Sequence, residues 1–98
     1  IFRRLVRQSG LKDEGIVESS YRHTTTKFRV LGNHTQMLRI DDETTLPLEP
    51  DERKQLQTRI LDLMALHSMD VIVFQDYDKG VISPELIDFL MREAAKRN

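Results

Sequence analysis

One stretch constrains this chain more than any other: Asp70-Val-Ile-Val-Phe-Gln-Asp-Tyr-Asp-Lys-Gly80. Val71 to Phe74 are four consecutive β-branched or aromatic residues, too short a run for a helix. They predict a strand over 71–75 buried on both faces, as in the parallel sheet of an α/β protein. A new helix is predicted from Ser83-Pro84-Glu85, with serine as N-cap and proline at the first helical position. In open α/β sheets ligands bind at the carboxyl ends of the strands, so the loop from Asp76 to Gly80 is predicted to form one wall of a site. A strand covered on both faces needs neighbouring strands, with helices above and below. Only one such strand is present, with two flanking helices and a separate hairpin. The chain therefore reads as an internal piece of a larger α/β domain, and its first residue, isoleucine, agrees with that reading.

The hairpin signal lies earlier. Thr24 to Leu31 is rich in β-formers, Gly32-Asn33 can adopt positive φ, and Thr35 to Asp41 resumes an extended pattern. With Gly32-Asn33 as the two-residue turn, Phe28 faces Met37, Val30 faces Thr35 and Thr26 faces Arg39. That register mixes Lys27, Arg29 and Gln36 with Leu38 and Ile40 on one face, so both faces are expected to be partly covered. A hairpin of this size is marginal alone and must pack on something. Residues 1–9 read as the end of a helix whose Arg3, Arg4 and Arg7 form a solvated face, with Gly10 in the left-handed position past it. Gly15 to Glu18 is a short strand candidate. A second helix is expected from Pro50 to about residue 67, with Leu56, Ile60, Leu63 and Met64 on its apolar stripe. His67 reads as a boundary residue at that helix end, because no ligand-type side chain sits at metal spacing from it. The last helix is expected over 84–97.

Composition narrows the function classes. With 98 residues there is room for one small domain. Fifteen basic residues against 16 acidic, a net charge of −1, give no support for nucleic-acid or membrane-surface binding. Cysteine is absent, which excludes disulfides and thiolate metal sites and fits a cytoplasmic setting. No apolar run approaches a membrane span.

Asp76-x-Asp78 after an apolar strand invites two further readings. As a calcium loop it fails, since the sixth and twelfth positions would be Val81 and Ile87 in place of glycine and glutamate. As a haloacid-dehalogenase-type phosphohydrolase motif it lacks the Gly-Thr that usually follows, and it stands as an alternative enzyme reading. The two aspartates can also simply end the strand and cap the turn.

Two segments together carry a resemblance. Thr24-Thr25-Thr26-Lys27-Phe28-Arg29-Val30, followed by Gln36-Met37-Leu38-Arg39-Ile40-Asp41, resembles a segment of ribokinase-type sugar kinases, and more narrowly of the heptose-7-phosphate kinase domain of ADP-heptose synthases. Asp76-Tyr77-Asp78-Lys79-Gly80-Val81 is similar to a loop of the same proteins, in the same order and at about the same spacing. Gln75 stands where serine is usual and Phe28 where threonine is common, which leaves the exact sugar open.

The resemblance implies a ribokinase-like α/β fold: a parallel sheet flanked by helices, with a β-hairpin lid. Residues 1–98 would be an internal fragment of one sugar-kinase domain, with 24–41 as lid and 50–97 as helix–strand–helix of the core. It implies an ATP-dependent carbohydrate kinase using Mg2+, acting on a sugar or sugar phosphate, with lids of two copies clasped into a homodimer. Substrate-binding candidates are Lys27, Arg29, Gln36 and Arg39 on the lid, and Asp76 and Lys79 on the loop. The catalytic aspartate, in a Gly-Ala-Gly-Asp loop, would lie after residue 98, so no catalytic or metal residue is assigned within the chain. From a different class, a non-catalytic interaction module built on the hairpin is the main alternative. If the fragment reading holds, the isolated 98-residue polypeptide neither phosphorylates sugars nor binds ATP saturably; micromolar, magnesium-dependent ATP binding in a calorimetric titration would overturn it.

Overall fold

The computed structural model describes residues 1–97. In chain order the elements are α1 (Phe2–Gln8), β1 (Thr26–Gly32), β2 (Thr35–Asp42), α2 (Pro50–Leu66) and α3 (Pro84–Ala95). Each helix end follows from local chemistry. α1 stops in a Schellman arrangement: Leu11 N–H donates to Val6 O at 3.1 Å, Gly10 N–H to Arg7 O at 3.0 Å, and Gly10 takes φ +72° as expected. α2 opens with Pro50 and a reciprocal box, in which Glu49 N–H donates to the Glu52 carboxylate at 3.0 Å while the Glu49 side chain accepts from the backbone of Glu52. α3 opens on Ser83, whose hydroxyl accepts from Leu86 N–H at 3.3 Å, with Pro84 in the first turn.

The solvated arginine face expected on α1 is not what forms. Arg3 donates to Ile16 O at 2.7 Å, Asp13 O at 3.0 Å and Glu18 Oε1 at 2.6 Å, and Arg7 donates to Asp13 Oδ2 at 2.9 Å. These bonds hold 13–18 against the helix as a loop, so the strand candidate over Gly15 to Glu18 does not form.

The sheet departs from expectation in two ways. Among the described residues it consists of β1 and β2 alone, paired antiparallel, and 71–75 is not a strand. A strand needs a hydrogen-bonded neighbour, and no second segment lies alongside this one. The expected burial on both faces is also absent. Ile72 and Phe74 are partly covered, whereas Val71 and Val73 are 73% and 79% exposed, because α2 and α3 cover one side only.

The hairpin register differs as well. The turn is Asn33-His34, with φ +48° and +62°, and Gly32 instead closes β1 opposite Thr35. Both central residues of a type I′ turn need positive φ, and asparagine tolerates it best among non-glycine residues. A bulge follows: Leu31 pairs with Gln36, but Val30 pairs with Leu38, so Met37 is the extra residue on β2. That single insertion separates the faces. Phe28, Val30, Leu38 and Ile40 share one side; Lys27, Arg29, Leu31, Gln36, Arg39 and Asp41 share the other.

The core is small. Leu86 and Leu90, four apart on α3, are the buried hydrophobic residues, and they pack near Ile60, Leu63 and Met64 of α2 with Ile72 and Phe74. The Cα radius of gyration is 17.2 Å, against about 13 Å for a compact domain of this length. No helix among the described residues is long and apolar enough to cross a membrane.

If His34 occupies a left-handed turn position, His34→Gly should strengthen the hairpin by roughly 1 kcal/mol by relieving the Cβ penalty. Slower amide exchange across β1 and β2 would report it. Weakened protection would mean that the turn lies elsewhere.

Candidate functional site

The candidate residues fall in two places. The first is the charged side of the hairpin. Lys27 and Asp41 are directly opposite each other in register, and Lys27 Nζ lies 2.9 Å from Asp41 Oδ2. Arg39 Nε lies 3.1 Å from Asp41 Oδ1 but without the alignment of a hydrogen bond. Arg29 sits opposite Arg39. One carboxylate therefore shares three cations. The Lys27 hydrogen bond, with the nearby charges of Arg39 and Arg29, holds the Asp41 carboxyl below the usual carboxylate range, against the opposing effect of desolvation. Gln36 is on the same side, opposite Leu31. Like charges directly across a ladder repel, so the Arg29–Arg39 pair is a locus of unspent positive potential.

The second place is the loop after 71–75. Asp76 Oδ1 accepts from Asp78 N–H at 2.8 Å, closing an Asx turn that supports φ +56° at Asp78. The capping use of these aspartates is thus realised in the geometry. Lys79 Nζ is 2.6 Å from Glu43 Oε1, so the lysine is paired with the residue immediately after β2. Gly80 takes φ +73°, and its α-carbon lies so close to the Leu46 carbonyl that a Cβ would overlap it. Gly80 O in turn accepts from Leu48 N–H at 3.2 Å.

The fold thus brings Lys79 to the base of the hairpin, next to the segment that leaves β2. The hydrogen bond from Asp76 remains within its own turn. Sequence reasoning missed three residues here: Arg22, Glu43 and Glu52. Arg22 donates to the carbonyls of Leu46 at 2.6 Å, Thr44 at 3.3 Å and Lys79. Glu52 is 94% buried at the start of α2, and the Ser19 hydroxyl, the Glu49 backbone and the Arg22 charge lower its carboxyl pKa, partly offset by desolvation. An acid in a first helical turn was the visible signal for Glu52; nothing in the sequence marks a carbonyl-binding arginine. Among the described residues no three histidine or carboxylate side chains converge to hold a metal ion, so these residues offer Mg2+ no ligand set.

A chain with a cationic β-ribbon above a strand-end-type loop has the parts of a phosphate-handling α/β enzyme. The named relatives agree with that class. The chain is 38% identical over 90 residues to "Bifunctional protein HldE" of Geobacter sulfurreducens, which covers 90% of this chain and 18% of that protein. It is 41% identical over 91 residues to the protein of the same name from Paramagnetospirillum magneticum (93% and 18%). For that of Helicobacter pylori the identity is 33% over 91 residues (91% and 19%). The matches bear out the resemblance to the heptose-7-phosphate kinase and ADP-heptose synthase proteins read from the threonine and aspartate motifs. The chain spans under a fifth of the length of these relatives. No family model matches the chain. No solved structure matches it.

Asp41 generates a prediction about pH. Its folded pKa is depressed, so its contribution to the hairpin is present above the ordinary Asp value of about 3.9 and is lost as pH falls through the lower folded pKa. A carbon-detected NMR titration should place its midpoint below that of an unstructured Asp. Hairpin amide protection should hold down to about pH 4, then fall, and Asp41→Asn should remove that step. A midpoint at or above the ordinary value would contradict the ion-pair geometry.

Proposed function

We propose that this chain is the lid and part of the core of an ATP-dependent sugar kinase, phosphorylating a hydroxyl of a sugar phosphate, with heptose 7-phosphate as the narrowest reading. The observation that carries it is the sorted hairpin, three cations and Gln36 around one carboxylate, in a chain similar to the HldE proteins. In this reading Lys27, Arg29 and Arg39 attract the anionic group of the substrate, and Gln36 meets a sugar hydroxyl. Phosphoryl transfer depends mainly on positioning and on neutralising charge, so such contacts act by holding the acceptor in line. ATP with Mg2+ supplies the phosphoryl group, and the groups that bind them belong to other parts of the enzyme. Lys79, held by Glu43, keeps a cation beside the lid's base, and Asp76 shapes the turn that presents it. The opposite, apolar side of the hairpin suits a second copy of the lid, as in a clasped homodimer. Phe28, Val30, Leu38 and Ile40 are each about half exposed. A ribokinase-like sheet and a cytoplasmic location complete the proposal.

The same apolar side supports a second reading, an interaction module with no chemistry. Both are tested with the protein from its complete reading frame, Mg·ATP and a panel of sugar phosphates, read by ADP release and phosphorus NMR. The kinase reading expects ADP release that depends on a sugar phosphate. Lys27→Ala and Arg39→Ala should each raise the KM for that sugar roughly tenfold, the scale of one charge-assisted hydrogen bond, with unchanged melting. A folded protein that releases no ADP with any of them would favour the module.

A further inference from the structure

Arg22 sits on the segment that leads into the hairpin, and its position is itself fixed. The Ser19 hydroxyl accepts from Tyr21 N–H at 3.0 Å and from Arg22 N–H at 2.8 Å, which turns the chain just ahead of β1. From there the guanidinium reaches two other segments. It donates to Thr44 O and Leu46 O on the strand-exit loop, and to Lys79 O on the loop that carries Asp76 and Lys79. The same two segments are joined by the Lys79–Glu43 ion pair, by Leu48 N–H donating to Gly80 O, and by the close approach of Gly80 to Leu46. Both legs of the hairpin and the candidate substrate loop therefore meet at one side chain.

We propose that Arg22 is a positioning residue that fixes the angle of the cationic hairpin face relative to the Asp76–Lys79 loop. The inference rests on the kinase reading for its consequence, since only a lid over a substrate makes that angle matter to turnover. The chemistry requires arginine. Three carbonyls on two loops need a planar fork with several donors, and a lysine ammonium on a single stem cannot span them in the same way. A hairpin with so little packing beneath it has few other means of holding its direction.

The test uses Arg22→Met, which keeps the apolar stem, and Arg22→Lys, in the protein from its complete reading frame. Without substrate, hydrogen exchange should accelerate at the Leu48 amide and across 27–41 in both variants, while α2 amides stay as protected as in wild type. With substrates, kcat/KM for the sugar phosphate should fall by about 100-fold, the scale of a misplaced binding group, and the KM for ATP should not change. Unaltered exchange at Leu48 would overturn the proposal. So would faster exchange with wild-type kcat/KM, equal acceleration in α2, or full recovery by Arg22→Lys. If the wild-type protein phosphorylates none of the sugars, the kinase reading falls, and the exchange difference alone decides whether Arg22 sets the hairpin.

Discussion

Backbone carbonyls held by arginine are what the arrangement of this chain depends on. With Leu86 and Leu90 as its buried apolar core, packing cannot fix where the long connections run. Polar side chains do that instead. Arg22 holds the carbonyls of Thr44, Leu46 and Lys79. Arg3 does the same for Asp13 and Ile16, and Arg59 for Glu14 at 3.1 Å. Each guanidinium offers several donors in one plane, so a single side chain can satisfy acceptors from segments distant in sequence. Loops bound in this way are directional without being deeply buried, a useful property for parts that must meet a ligand.

The hairpin shows how one residue decides the use of a surface. In a regular two-residue hairpin turned at Gly32-Asn33, cations and aliphatic side chains would alternate on the same side. The bulge at Met37 shifts the outer half of β2 by one residue against β1, and the faces separate into apolar and charged. A ribbon sorted like this can meet two different environments at once. Its charged side carries more cations than Asp41 can neutralise, while its apolar side has no cover in the described residues.

At the loop after 71–75 the charged groups are already committed to local partners. Asp76 closes its own turn, and Lys79 pairs with Glu43. This organisation limits how far either group can wander before a ligand arrives, which lowers the ordering cost of binding. It also makes the loop and the hairpin base one mechanical unit, because Glu43 directly follows β2. The buried Glu52 carboxylate adds to that unit from the first turn of α2, near Ser19 and Arg22.

Local signals in the sequence were enough for the helices and for the existence of the hairpin. Gly10 ends α1, Pro50 and Ser83-Pro84 start α2 and α3, and the β-rich runs around Gly32-Asn33 pair with each other, because each of these depends on neighbours within a few residues. The motifs around Thr24 to Arg29 and Asp76 to Gly80 likewise carried the resemblance that the named relatives bear out. Register, pairing and partners were decided only in three dimensions. A turn at Asn33-His34 and a bulge at Met37 differ from the expected register by small energies that periodicity cannot rank. Val71 to Phe74 had the composition of a buried strand, but a strand exists only with a neighbour to bond, and composition does not say whether one is present. Arg22 and Glu43 were invisible for the same reason: their roles depend on carbonyls and an ammonium that lie 22 to 57 residues away along the chain and adjacent only once it is folded.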